Sequence, residues 1–363
     1  MIIDHLQRTY EELSSSQYPV FIWGAGSMSM EVSSRLEEHG ITVCGKFITT
    51  AADRSHIVSS ADRIFTLDEI KETYEKINVV AGHGHYEKID ELKSCACIHN
   101  VYVIPTPYLQ YKSPDLEYIY RNQDKLAYIF SQLVDEKSQT ALERYLAVNL
   151  TNDIRYLLEA DICVDGMYGF EALAISDSEN FVDVGAWEGD SIHSFLRSAG
   201  HKYDKIHAFE PDPTIFQTLK HNYGDKENVV LYQLGLGEQN AKLTISHGNT
   251  QSACLTASSA EPEADAIIIT TLDEALADEP VSLIKISIPF MFTDVIKGGA
   301  ALICKNRPRM IINVGADDRF SLYETVKWIS ELDVPYKLAL RFDFPMPTRL
   351  FLYAYPAEQS DEN

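Results

Sequence analysis

Asp183, Gly185 and Gly189 are spaced Asp-x-Gly-x-x-x-Gly, where the apolar run Phe181 to Val184 gives way to a helical pattern. Gly185 allows a sharp reversal without a Cβ clash, and Gly189 lets a helix begin close to the preceding strand. The spacing is not that of the dinucleotide fingerprint, whose first two glycines stand two apart. An acid ahead of the first glycine repels a pyrophosphate and suits a ligand with an ammonium group. Glu210 ends a second apolar run, Ile206 to Phe209. A carboxylate there accepts hydrogen bonds from two ribose hydroxyls. An ammonium-bearing tail beside a ribose describes S-adenosylmethionine. The plainer reading is that the glycines serve only a tight turn and Glu210 is a solvated acid.

These groups meet only if strand ends and helix starts converge on them. Phe181 to Val184 and Ile206 to Phe209 read as strands, each followed by a helix, Gly189 to Arg197 and Pro213 to Tyr223. Val229 to Leu234, Ile267 to Thr270, Leu283 to Ile288 and Met310 to Val314 read as further strands. Helices are expected over Asp294 to Cys304 and Ser321 to Leu332, then a closing strand pair, Tyr336 to Phe342 and Arg349 to Tyr355. The alternation predicts a parallel sheet with an antiparallel edge, and such sheets bind ligands at the carboxyl ends of their strands.

Upstream, Phe21 to Trp23, Thr42 to Ile48, Asn78 to Ala81 and Val101 to Ile104 read as strands of a smaller parallel sheet, with a helix over Met28 to Leu36. Gly24-x-Gly26 follows the first of them, but Ser29 holds the third glycine position and Thr49 stands where a ribose-binding acid belongs. That marks a Rossmann-like turn and argues against NAD, leaving nucleotide-sugar binding open. Between the two regions, Leu116 to Leu133 and residues 141 to 158 show helical spacing. The expected fold class is α/β, with two Rossmann-like units over 1–110 and 171–363 and a helical connector over 111–170. The connector could equally form an N-terminal lid of the second unit.

With 31 basic and 54 acidic residues the net charge is −23, which repels phosphate backbones and anionic lipid surfaces. Nucleic acid is therefore excluded as a partner, no membrane span is expected, and the N-terminus lacks a secretory layout. Six scattered cysteines read as small buried hydrophobes of a reduced, cytoplasmic protein. Cys95-x-Cys97 with His99 is too tightly spaced for zinc, and Gly82-His83-Gly84-His85 reads as a solvated loop, so no metal is expected. A homo-oligomer is compatible with this composition.

The segments Phe181 to Ser191 and Ala208 to Asp212 resemble the FkbM family of S-adenosylmethionine-dependent methyltransferases. Thr271 to Glu274, Leu283 to Lys285 and Arg307 to Arg309 fit the same pattern, and the likeness spans roughly residues 178 to 356. It implies a seven-stranded methyltransferase sheet, and O-methylation of a carbohydrate or glycan intermediate in polysaccharide biosynthesis. By analogy Asp183, Gly185, Ala186, Gly189 and Glu210 contact the cofactor, while Asp190 and Ser191 hold its carboxylate end through backbone amides. Trp187 either packs over the ligand or belongs to the core.

The acceptor side departs from the family. Lys-x-Asp-x-Glu-Gly-x-Glu is expected after the fourth strand; this chain has Lys285, Ser287, Pro289, Phe290 and Phe292 there. After the fifth strand, Gly315-Ala316 replaces Tyr-His. A general base contributes typically about 10²–10⁴-fold. With the expected acids gone, the remaining candidates are Asp294 and Asp317, then Asp318, His193 and His207. Two readings follow: a methyltransferase with an altered small-molecule or glycan acceptor, or a catalytically degenerate fold serving as a binding or scaffolding module.

Overall fold

The computed structural model describes residues 5–49, 64–82, 88–104, 116–246, 254–256, 266–289, 291–315 and 321–357. The chain divides into two compact units, one of residues 1–121, 140–161 and 345–348, the other of 122–139, 162–344 and 349–363. The stretch 111–170 read as a connector is thus shared between them, 122–139 and 162–170 falling to the second unit and 111–121 and 140–161 to the first.

In the first unit, β1 (Val20–Trp23), β2 (Val43–Ile48), β3 (Ile64–Thr66), β4 (Ile77–Ala81) and β5 (Ile98–Val103) form one parallel sheet. Its order is β3-β2-β1-β4-β5. Every residue of β1 and β4 is buried, as expected of strands covered on both faces. The helix Ser27–Glu38 follows the Gly24 turn and sets Val32 and Leu36 against Ile22 and Val80. The short β3 was not anticipated: Ile64–Thr66 is only three residues long and closes on Thr66, whose side chain caps the next helix.

In the second unit the strands are β6 (Asn180–Val184), β7 (Lys205–Phe209), β8 (Val229–Tyr232), β9 (Gly235–Leu236), β10 (Ala241–Ser246), β11 (Cys254–Thr256), β12 (Ala266–Thr270), β13 (Leu283–Ile286), β14 (Arg309–Asn313), β15 (Tyr336–Phe342) and β16 (Leu350–Pro356). Seven build the main sheet, in the order β15-β16-β14-β13-β6-β7-β8. From β14 to β8 neighbouring strands are parallel, while β16 runs antiparallel to both β14 and β15. This is the expected methyltransferase-type sheet, closed at one edge by the terminal hairpin.

Two expectations are corrected. Ile267–Thr270 lies in a separate four-stranded sheet, order β11-β10-β12-β9, because β12 pairs with the nearby β10 and β9. The helix expected over 294–304 is two, Phe292–Lys297 and Ala300–Asn306. Gly298 is pressed against the Gly237 carbonyl, where an added Cβ would lie 2.0 Å from that oxygen. Helix-period apolar residues on either side hid this break.

One face of the main sheet carries the core of Phe181, Ile206, Ala208 and Leu283, covered by Ile192 and Phe195 of the helix Asp190–Ser198. Phe181 and Phe195 stack at 4.3 Å. At the amino end of the sheet, buried Glu179 receives Arg309 Nη2 on both oxygens, at 2.7 and 2.6 Å. Arg309 also donates to the Leu173 and Ala174 carbonyls, so it bolts β14 to the lead-in of β6. Asp273 accepts from Ala301 and Leu302 N–H and caps the helix Ala300–Asn306. Two segments that carried the family resemblance therefore have structural work here.

Candidate active site

The turn between β6 and the helix Asp190–Ser198 is left-handed at three positions: Gly185 (φ +74°), Trp187 (φ +51°) and Gly189 (φ +96°). The N–H groups of Gly185 and Ala186 both donate to the Phe209 carbonyl, at 3.1 and 3.0 Å, which ties the turn to the end of β7. An ideal Cβ on Gly185 would lie 2.7 Å from the Ser287 oxygen and from Ile288 Cγ2. One on Gly189 would lie 2.1 Å from the Tyr223 ring, whose hydroxyl donates to the Gly189 carbonyl at 3.0 Å. Both glycines are thus required by close protein packing as well as by backbone conformation.

Glu210 is buried beside the turn. Its Oε2 accepts from Trp187 N–H at 3.1 Å and its Oε1 from Asp212 N–H at 3.0 Å. Asp212 in turn caps the helix Pro213–Tyr223 through Thr214 and Ile215 N–H. Burial pushes the Glu210 carboxyl up, and the two amide donors pull it back. Each carboxylate oxygen has two acceptor directions, so one on each remains for a further donor. Two vicinal hydroxyls match that pattern.

Asp183 is placed differently from the expectation. It has no exposed surface, and it is paired across β6 and β13 with Lys285, itself only 3% exposed. Lys285 Nζ donates to Asp183 Oδ1 at 2.8 Å, to the Gly185 carbonyl at 2.9 Å and to Ser191 Oγ at 3.3 Å, using all three of its protons. Ser191 Oγ donates to Asp183 Oδ2 at 2.5 Å. Burial pushes the Asp183 carboxyl up, while Lys285 and Ser191 oppose it. The carboxylate expected to face an ammonium group instead anchors the turn from beneath. In the sequence Lys285 stands only as part of a motif. The signal was there: a lone lysine in Leu-Ile-Lys-Ile and a lone acid in Phe-Val-Asp-Val, both in strands too apolar to leave either charge unpaired.

Asp190 is exposed at the first helical position. The N–H groups of Asp190, Ser191 and Ile192 precede the first bond of the helical ladder, His193 N–H to the Gly189 carbonyl. That end of the helix faces the same strand ends as Glu210 and favours negative charge.

On the acceptor side, Ser287 follows β13, and its N–H donates to the Val184 carbonyl at 3.0 Å. Asn313, ending β14, donates to Ser287 Oγ at 3.4 Å and accepts from Gly315 N–H at 3.2 Å. Asp294 lies half-buried in the first turn of the helix Phe292–Lys297. Asp317, Asp318, Ala316 and Phe290 lie outside the described residues, as do His83 and His85. His193 is exposed on the helix that follows the turn. His207 is wholly buried in mid-strand, two residues short of the end of β7, its Nδ1 3.0 Å from the Tyr232 hydroxyl. The structure brings the cofactor-side candidates together at the ends of β6 and β7, while the described base candidates Asp294, His193 and His207 sit on three separate elements.

Among the described residues no cluster of His, Cys, Asp or Glu could hold a metal, and no helix is long and apolar enough to cross a membrane. His99 packs its ring on Tyr18 at 4.3 Å, and Cys97 is buried.

No protein-family model matches the sequence, and neither does any curated protein. Solved structures do match in fold. Methyltransferase FkbM from Methylobacillus flagellatus KT superposes with a TM-score of 0.66 at 18% identity, covering 97% of this chain and 94% of that one. An rRNA methylase from Streptococcus thermophilus gives a TM-score of 0.34 at 16% identity, over 53% of this chain and 94% of that one. An O-methyltransferase from Bacillus cereus in complex with SAH gives 0.32 at 11% identity, over 64% and 96%. The first of these likenesses extends over both units, and at 18% identity it is a likeness of fold.

Proposed function

We propose that this chain, which has a methyltransferase fold, binds S-adenosylmethionine at the ends of β6 and β7 and methylates a hydroxyl of a carbohydrate. The observation that carries the reading is Glu210: a buried carboxylate oriented by two backbone N–H groups, with one acceptor direction left on each oxygen. That is the requirement for gripping a ribose diol. The N–H groups at Asp190 to Ile192, which have no acceptor among the described residues, suit the carboxylate of the amino acid tail. Asp183, through Lys285, holds the Gly185 carbonyl and so fixes the turn against which that tail lies. The ammonium then falls to backbone oxygens, since Asp183 is closed off.

When bound, the sulfonium supplies an activated methyl group, and what remains for the chain is alignment of the acceptor. Ser287 and Asn313 form a neutral hydrogen-bonding pair at the neighbouring strand ends and can orient a hydroxyl oxygen as donor or acceptor. Asp294 and Asp317 are the candidates for taking up its proton. The carbohydrate rests on the family resemblance alone, as does a place among glycan-modifying reactions. A cytoplasmic location belongs to the same proposal.

The second reading, a degenerate fold used as a binding module, is favoured by one observation: Ser287 and Pro289 stand where acids were expected. Calorimetry with S-adenosylhomocysteine and a methyl-transfer assay on a glycan-containing lysate separate the two. The first reading expects cofactor binding, weakened about tenfold or more by Glu210→Gln through loss of charged hydrogen bonds. It also expects label transfer, abolished by Gly185→Arg. Binding without transfer to any acceptor supports the module; no binding at millimolar ligand defeats the first reading and leaves the module.

A further inference from the structure

Trp187 differs from the other large aromatic side chains of the second unit. Phe181, Phe195, Phe209 and Phe351 are fully buried, whereas Trp187 is 38% exposed. It is not core. Among the described residues its indole has no hydrogen-bond or ring partner. Its backbone nevertheless lies at φ +51°, between two glycines that adopt the left-handed region freely. There a Cβ is crowded by the neighbouring carbonyl, and a bulky residue is a genuine outlier. The conformation is held by the Trp187 N–H, which donates to Glu210 Oε2 at 3.1 Å, and by the Gly189 N–H, which donates to the Ala186 carbonyl at 2.8 Å. The fold therefore accepts strain at a residue that contributes little to its packing.

What the residue does have is a place. Its own amide orients the carboxylate that would hold the ribose, so the indole leaves the turn beside that group. We infer that Trp187 is a stacking wall of the nucleoside site, its ring packing on the flat face of the nucleoside that Glu210 holds. An unpaired indole suits this role, because every nucleobase has a π-face to offer and the indole keeps a free N–H donor at its rim. The inference rests on the proposed cofactor site and deepens it: Glu210 grips the sugar by hydrogen bonds and Trp187 holds the rings by stacking.

The test is calorimetric titration of the intact chain with S-adenosylhomocysteine, for wild type, Trp187→Phe and Trp187→Asn, with thermal melts of each. Loss of one base-stacking platform predicts about five- to 150-fold weaker binding by Trp187→Asn. Trp187→Phe, which keeps a ring, stays within about threefold. Because asparagine tolerates the left-handed region, Trp187→Asn should melt at or above the wild-type temperature. Tryptophan emission of the wild type should change on titration, while that of Trp187→Phe, which retains Trp23 and Trp328, should not. Wild-type binding matched by Trp187→Asn overturns the inference and leaves the cofactor site standing. A lower melting temperature in Trp187→Asn overturns it too, since the indole would then be structural. Failure of the wild type to bind defeats the proposed function itself.

Discussion

Replacing Lys285 by methionine removes the ammonium and all three of its bonds, to Asp183, Gly185 and Ser191. Asp183 keeps only the Ser191 hydroxyl in a site with no exposed surface. Breaking one side of a buried ion pair costs about 3–5 kcal/mol. An independent bound comes from proton uptake: neutralising a carboxyl of ordinary pKa, about 3.9, at pH 7 costs about 4 kcal/mol. The two estimates agree, and the second adds a pH signature. In the variant the folded-state pKa of Asp183 lies above its unfolded value, so the native state binds the extra proton. The deficit relative to wild type should therefore shrink as pH falls, to about 1.5 kcal/mol at pH 5. Urea unfolding of both proteins at pH 7 and pH 5, followed by far-ultraviolet circular dichroism, measures this. Adding Asp183→Asn to the methionine variant should recover stability at pH 7, because no buried charge is left. A deficit below about 1 kcal/mol at pH 7, or one equal at the two pH values, would refute the reasoning that the pair is a desolvated, mutually dependent charge couple.

His207 gives a prediction of its own. Burial holds its imidazole down to about pH 4, with Lys205 adding to the effect and Glu279, 3.6 Å from Nε2, opposing it. Its folded pKa lies below the unfolded one, so its contribution is complete above about pH 6.5 and lost as pH falls towards 4. The wild type should lose about 3 kcal/mol across that window beyond the loss shown by His207→Gln; parallel pH–stability curves would count against it. Gly189→Ala should destabilise the second unit by about 2 kcal/mol or more, since φ is +96° and the new Cβ would lie 2.1 Å from the Tyr223 ring. Tyr223→Ala in the same background relieves the clash but not the backbone strain. A melt of Gly189→Ala within a degree of wild type would mean the turn can rearrange.

Local signals in the chain determined much of this protein. Apolar runs of four to seven residues marked most of the strands, because a strand buried on both faces must be apolar throughout. The sharp reversal at Gly185 and the close helix start at Gly189 followed from their place between strand and helix, as did the helix opening at Pro213. The association of Glu210 with the glycine turn was legible too, since β6 and β7 are consecutive in the chain and adjacent in the sheet. What only the tertiary structure decided are the pairings made across the reversal of strand order. Lys285 reaches Asp183 because β13 lies beside β6, although six strands separate them in sequence. Arg309 reaches Glu179, and Asp273 caps a helix that starts at Ala300, by the same long-range placement. Periodicity reports the conformation of each segment and which faces are apolar. Which buried charge meets which depends on strand order and register, fixed only when the whole sheet packs, and that is why Asp183 looked like a ligand group in the sequence and became an anchor in the fold.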